Sequence, residues 1–538
     1  MLRDGALLEA ELVGQPQPGR KSSADLRRLL AWFARDGWLN AVAVALSLAL
    51  FVLFVGFRDL PMIDLPQHAA QITTWQRLDA GDPVALERFE LNFRTPYLLA
   101  YPLARALAPL CGVVLALKIV VWASIVASFF AVALLAKKLG HDPWLGLFGS
   151  VTAMGLCFYF GFVSFLVAMP LAVAALALAL GHAARPSLQS GTLLALLMTL
   201  VLTAHGIAFM MAFGTVALLL LRGGGSWLAR LAPLVPPALM ALFWIAPGPV
   251  SVRIGGDAWG LTPERLRELP ALLVGMGSSD HVAFVLGLAL LTTTVLSLGL
   301  RLERRALHVL PLGLLLAAYY FFPVMFRGVV LLHTRLVCFL LPIALLAVAP
   351  RPSPAVSARR VSRALMLAVT LVWLGGYSLR LVAFNREAEA FHTLAARLPP
   401  GLAMRPLVFD RDSRAFPGVP AFLHYSAYYY VEKGGFQGYS FAMYPLSVVR
   451  YRPGIEATMQ HGLEWRPDLF RQEEIPDYDY FLVRSEYDRT DELFAGTNVE
   501  LTAHVGPWWG YTRRDSALAA RTSPPSSRAP SDRSAGGT

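Results

Sequence analysis

Directly after the first long apolar run of this chain comes Phe57-Arg58-Asp59-Leu60-Pro61-Met62-Ile63-Asp64-Leu65-Pro66-Gln67-His68. Pro66 suits the first turn of a helix, so residues 66–80 are predicted to be helical up to Gly81-Asp82-Pro83. Asp64 then stands at the positive N-terminal end of that helix, with His68 one turn further on. A carboxylate held just above a bilayer beside an imidazole can serve as general base toward a hydroxyl or amine acceptor. The same placement also suits a plain helix cap, with His68 as an interfacial polar residue.

A second group is His333-Thr334-Arg335, one turn into a late apolar segment, with Arg327 just before it. An interfacial arginine can snorkel, but Arg335 lies deeper than snorkelling requires. A guanidinium at that depth calls for an anion, and a lipid phosphate fits its bidentate donors; an internal ion pair with a loop carboxylate is the alternative. His205-Gly206 breaks the apolar run 190–222 at its middle, either as a turn histidine or as an accessory to chemistry on the same side. Asp257, Glu264, Glu268, Asp280 and His281 are further candidates in a second loop, Asp280 among them as a possible accessory group. Neither loop holds a DxD pair, and the cysteines Cys111, Cys157 and Cys338 lie in apolar stretches without a CxxC. No metal site, obligatory metal or disulfide framework is therefore expected. Tyr425, Tyr428, Tyr429, Tyr430 and Trp508-Trp509 can stack on sugars, or form the core of their domain and its contact with the membrane surface.

What must position these groups is a membrane bundle. Of 538 residues, 56% are hydrophobic and only 15% charged, against about 25% charged in ordinary soluble proteins. Spanning helices of roughly 20 apolar residues fit 38–57, 116–136, 143–160, 162–182, 190–204, 206–222, 231–247, 282–300, 306–322, 329–349 and 362–382. The stretch 96–115 is interrupted by Pro96, Pro102, Arg105 and Pro109 and reads as a kinked interfacial helix. With eleven spans and the N-terminus inside, Lys137, Lys138, Arg222, Arg230, Arg301, Arg304, Arg305, Arg351, Arg359, Arg360 and Arg363 gather on the cytoplasmic side, with Arg27, Arg28 and Arg35. The net charge of +11 is then largely an orientation signal and does not argue for nucleic acid.

The expected architecture is a polytopic α-helical membrane protein of about eleven transmembrane helices with a C-terminal α/β extracytoplasmic domain. A cytoplasmic segment 1–37 leads into a bundle 38–382 with outer loops 58–115 and 248–281. A periplasmic domain 383–515 follows, with a helix at 386–398 and strands at 406–410, 479–484, 499–505 and 508–513. The tail 516–538, rich in Ser, Pro, Arg and Ala, is expected to be disordered. No Asp or Glu falls inside the eleven segments, a poor inventory for an ion-coupled transporter.

This layout resembles the GT-C superfamily, membrane glycosyltransferases that use polyprenyl-phosphate-linked sugars, such as protein O-mannosyltransferases and the aminoarabinose transferases of lipid A. Asp64 matches the first-loop catalytic acid, and Pro96-Tyr97-Leu98-Leu99 through Gly112 and Lys118 is similar to the proline-led juxtamembrane helix and the basic residue opening the second span. Lys137-Lys138-Leu139-Gly140 is like the basic end of that span, and Arg335 through Pro342 like the arginine-led late span near the donor phosphate. The resemblance implies inverting glycosyl transfer at the outer face of a bacterial inner membrane. Asp64 would be the base, assisted by His68, and Arg335, with His333 and Lys118, would hold the departing lipid phosphate. The acceptor, whether lipid, glycan or protein, stays open. Two departures mark a divergent member: Leu65 stands where relatives often carry a second acid after the first, and the turn Phe158-Tyr-Phe-Gly-Phe-Val-Ser164 has no carboxylate. The alternatives are a non-catalytic cell-envelope assembly protein and a lipid-linked glycan transporter of related fold.

Overall fold

A computed structural model describes residues 36–222, 226–245, 262–277, 279–326, 329–351, 355–455, 459 and 462–515. Residues 1–35, Asp257, Arg327 and the tail 516–538 lie outside them. The chain divides into two compact units, Met1–Leu50 and Phe51–Thr538, and every site residue discussed below belongs to the second.

Within the described residues, each of the eleven apolar segments is largely helical. Gly37–Gly56, Val113–Lys138, Pro143–Phe160, Val163–Ala184, Trp227–Trp244, His281–Leu298 and Val356–Arg397 are long and apolar enough to cross a membrane. Leu188–Ala204, Gly206–Leu221, Ala306–Phe321 and Thr334–Ala347 are shorter apolar helices. Leu239, Leu242, Val285, Leu288, Val372 and Leu379 are exposed on these helices, as expected of side chains whose natural solvent is lipid. The stretch 96–115 forms the separate helix Ala100–Cys111, with Pro109 inside it, and Gly112 at φ 83° breaks it from Val113–Lys138.

Small residues allow the bundle to close. At Gly146 and Gly149 an added Cβ would stand 2.7 Å from the Phe129 and Ser128 carbonyl oxygens. Helix Gly146–Ala153 therefore lies directly on the backbone of Val113–Lys138. The segment around Arg335 is not one regular helix. Leu331 takes a left-handed φ of 55°, the chain turns through a 3₁₀ stretch Thr334–Phe339, and an α-helix Leu340–Ala347 follows.

The polar domain is built on a mixed sheet. The strands are β1 (Phe89–Leu91), β2 (Ala403–Val408), β3 (Phe436–Gln437), β4 (Val449–Tyr451), β5 (Tyr480–Arg484), β6 (Val499–Val505) and β7 (Trp508–Arg513). In the main sheet the order is β3-β2-β5-β7-β6. β3, β2 and β5 run parallel, while β7 is antiparallel to both β5 and β6. The four expected strands correspond to β2, β5, β6 and β7. The helix expected at 386–398 is the end of the unbroken helix Val356–Arg397, which also contains the last apolar segment. Tyr425, Tyr429 and Trp508 are buried in this domain and supply its aromatic core.

β1, from the first loop, pairs antiparallel with β4 of the C-terminal domain. Around that seam, side-chain amides of the first-loop helix Leu65–Asp79 replace missing backbone partners. Gln67 Nε2 donates to the Tyr439 carbonyl at 3.2 Å, and Gln71 Oε1 accepts from the Val449 amide at 2.8 Å. Thr74 Oγ1 and Tyr430 Oη lie 2.8 Å apart. Loop and domain are thus joined across one seam by backbone pairing and buried side-chain hydrogen bonds.

Candidate functional site

Asp64 reaches its place through backbone pairing. The Ile63 amide donates to the Tyr159 carbonyl at 3.0 Å and the Asp64 amide to the Phe160 carbonyl at 3.1 Å. Gly161 makes this approach possible: its φ is 86°, and a Cβ there would stand 2.7 Å from the Asp64 nitrogen. The Asp64 carboxylate makes no capping bond to the helix that follows, so the cap reading is not realised. It is buried, with Oδ1 3.5 Å from His424 Nδ1. Burial pushes its carboxyl well above the usual carboxylate range. The Arg335 guanidinium pulls it back and Glu464 pushes it further up.

His68 turns to a different partner: its Nδ1 lies 2.7 Å from Tyr101 Oη, on the interfacial helix Ala100–Cys111. Burial lowers its pKa to about 4, against a hydrogen bond with Gly161 that favours the charged form. His424 is the imidazole set against Asp64. Its ring packs on Tyr439 and Phe441, with centroids 5.0 and 5.7 Å away. Burial, and then the neighbouring His68, lower its pKa to about 3. Both rings are therefore neutral at physiological pH, and the fixed positive charge near Asp64 is Arg335.

Arg335 is buried in its 3₁₀ turn, with its guanidinium 3.8 Å from the centroid of the Phe162 ring. That ring belongs to the turn around Gly161 that holds Asp64. The same pair of turns is joined by Cys157 and Cys338, free thiols whose sulfurs lie 3.3 Å apart. Tyr97 stands within the electrostatic reach of Arg335 and packs edge-on to His205 at 5.0 Å. His205 itself accepts from the Ile207 amide at 3.2 Å, capping helix Gly206–Leu221 where the long apolar run was expected to break.

Asp64, His68, Arg335 and His205 therefore share one neighbourhood. Three other candidates do not join it. Lys118 Nζ donates to the Phe57 and Arg58 carbonyls at 2.7 and 3.2 Å, below Asp59. Asp280 caps helix His281–Leu298 through the Ala283 amide at 3.1 Å and forms a two-pronged ion pair with Arg380. His333 packs on Tyr319, in the surroundings of Arg265. Arg327 lies outside the described residues.

Two site residues have no signal in the sequence. His424 sits beside the tyrosine cluster, and Glu464 lies in a 3₁₀ turn, Leu463–Trp465, within an irregular part of the C-terminal domain. Glu464 Oε2 accepts from the Gly462 amide at 2.7 Å, while Oε1 is buried without a hydrogen-bond partner. Burial raises its pKa to about 7, opposed by hydrogen bonds from backbone amides and from Tyr439. A second carboxyl, from the C-terminal domain, thus acts on Asp64 through its field. Among the described residues no group of three or more His, Cys, Asp or Glu is set to hold a metal ion.

A buried carboxylate of raised basicity, a guanidinium within its field, and two neutral imidazoles form a set suited to removing a proton beside an anion. No family model and no curated protein sequence matches the chain. Among solved structures it is similar to ArnT from Cupriavidus metallidurans bound to undecaprenyl phosphate. The identity is 11% and the TM-score 0.54, with 90% of this chain and 99% of that one covered. The chain shares the fold of that structure in a divergent form.

Proposed function

We propose that this chain is a membrane glycosyltransferase that moves a sugar from a polyprenyl-phosphate donor to an acceptor. The transfer takes place at the membrane face bearing the first loop and the C-terminal domain. One observation carries the reading: in a GT-C-like fold, the buried Asp64 carboxylate lies in the field of the buried Arg335. The undecaprenyl phosphate of ArnT supports a lipid phosphate as the group that Arg335 receives.

Asp64 accepts the proton of the acceptor hydroxyl or amine as its lone pair attacks the anomeric carbon. The bond from that carbon to the phosphate oxygen breaks, and its electron pair stays on the departing lipid phosphate. Arg335 stabilises that developing charge, so the step requires no metal. Attack opposite the phosphate inverts the anomeric centre. Phosphate bound at Arg335 also weakens the pull of the guanidinium on Asp64, which makes the carboxylate a stronger base when the donor is present. His68 and His424, both neutral, border the carboxylate without competing for its negative charge. Lys118, tied to backbone carbonyls, holds the start of the first loop and leaves the phosphate to Arg335.

The basic residues at the opposite helix ends support an extracytoplasmic face of a bacterial inner membrane for the site. The absence of carboxylates from the apolar segments disfavours a transporter. Purified protein is incubated with a panel of polyprenyl-phosphate sugars and a membrane extract as acceptor source, and polyprenyl monophosphate is quantified. Wild type is expected to release it and Asp64→Asn not to. No release by either removes the enzyme reading in favour of a non-catalytic envelope protein.

A further inference from the structure

A polar cavity lies in the C-terminal domain, and neither Asp64 nor Arg335 lines it. It opens at the carboxyl ends of the parallel neighbours β2 and β5, where the chain leaves Val408 and Arg484 in register. Crevices at the carboxyl ends of parallel strands are where open α/β sheets bind ligands, because the loops diverge there. The cavity has a volume of about 1000 Å³ and is lined by Asp410, Arg411, Ser413, Arg484, Glu387 and Arg386 among others.

Its chemistry is distinctive. The lining carries four guanidinium groups and four carboxylates, so it offers many planar donors and acceptors with no net charge. Glu387 organises one wall, accepting from Ser413 Oγ at 2.8 Å, from the Arg414 amide at 3.1 Å and from Arg484 Nη2 at 3.3 Å. Two buried atoms on adjacent strand ends are left over: Asp410 Oδ2, an acceptor, and Arg484 Nε, a donor. Arg484 is only 4% exposed, and its guanidinium carbon lies over Phe422, 4.0 Å from the ring centroid. An unfilled acceptor beside an unfilled donor matches a hydroxyl group, which gives one hydrogen bond and receives another. An anion would satisfy Arg484 but be repelled by Asp410; a cation would do the reverse. Phe422 also links the cavity to the site, two residues before His424.

We propose that this cavity is a binding site for a glycan, through vicinal hydroxyls set between Asp410 and Arg484, and that it holds the saccharide part of the acceptor. The second clause rests on the glycosyl-transfer reading; the first does not. The test uses the full-length Asp64→Asn protein in nanodiscs, so that no turnover intervenes, applied to an array of bacterial and model oligosaccharides. At least one glycan class is expected to be retained, with binding falling tenfold or more on adding Asp410→Ala and also on adding Arg484→Lys, which keeps the charge but removes Nε. Asp410→Asn carries the same test should the alanine variant fail to fold. Absence of any retained glycan, equal binding by the variants, or displacement by millimolar inorganic phosphate would overturn the site. Asp410-dependent glycan binding, together with no release of polyprenyl phosphate by the wild-type protein, leaves the cavity standing and removes the transfer reading.

Discussion

Two aspartates on one loop, five positions apart in sequence, are treated in opposite ways. Asp59 is saturated. Its carboxylate lies 2.7 Å from His392 Nε2 and its backbone exchanges two hydrogen bonds with Asn385, at 2.9 and 3.0 Å. Lys118 closes the group from below through the Phe57 and Arg58 carbonyls. Asp64 is equally buried, yet it makes no capping bond and meets a neutral imidazole at 3.5 Å. A buried carboxyl with its partners in place is an anchor, joining the first loop to the long helix Val356–Arg397. A buried carboxyl kept short of partners is, in the proposed transfer, the reagent.

The largest effect expected from this contrast is on turnover. Asp64→Asn should lower kcat by roughly 10²–10⁴-fold while leaving the melting temperature unchanged or higher, since it removes an incompletely paired buried charge. Asp59→Asn should do the opposite. Losing the acceptor of a buried hydrogen bond costs about 1–3 kcal/mol, so melting should drop while kcat per folded molecule stays within a few-fold of wild type. Equal loss of turnover in both variants, at unchanged stability, would erase the distinction.

A smaller effect follows from Glu464. Transfer needs Asp64 ionised, so activity falls as pH drops through its raised pKa, and ionised Glu464 helps to hold that pKa up. Glu464→Gln should therefore move the acid limb of the kcat/KM profile to lower pH. An unmoved limb would separate Glu464 from the site. The smallest effect concerns stability. His68 and His424 fold with pKa values near 4 and 3, below the ordinary 6.5. Below that ordinary value the unfolded chain takes up protons that the folded one refuses. Their contribution is thus complete above pH 6.5 and is lost as pH falls toward the folded values. Melting temperature should decline between pH 7 and 4, and His424→Gln should flatten the decline.

Much of this was legible in the sequence because a bilayer imposes a simple code. Apolar length marked where the helices fall, the His205-Gly206 break fell between helices, and the strand-like runs 479–484, 499–505 and 508–513 marked β5, β6 and β7. Asp64 and Arg335 stood out because polar groups are costly at the edge of an apolar segment. What stayed hidden depends on contacts distant in sequence. β1 and β4 are three residues each and have meaning only as a pair. His424 and Glu464 lie in irregular backbone, where no periodicity relates them to Asp64. Lys118 was legible as a buried cation, but only the fold shows that its ammonium is occupied by the carbonyls of Phe57 and Arg58. Glu464 comes within electrostatic range of Asp64 from a part of the chain 400 positions away.

The most direct test of the central claim, that Arg335 receives a lipid phosphate within the field of Asp64, is titration of undecaprenyl phosphate into wild type, Arg335→Gln and Asp64→Asn in nanodiscs. A charge-assisted hydrogen bond contributes about 1.5–3 kcal/mol, so Arg335→Gln should weaken binding roughly 10- to 150-fold. Asp64→Asn, which removes a negative charge from beside the phosphate, should bind as tightly as wild type or more so. Undiminished binding by Arg335→Gln would contradict the account.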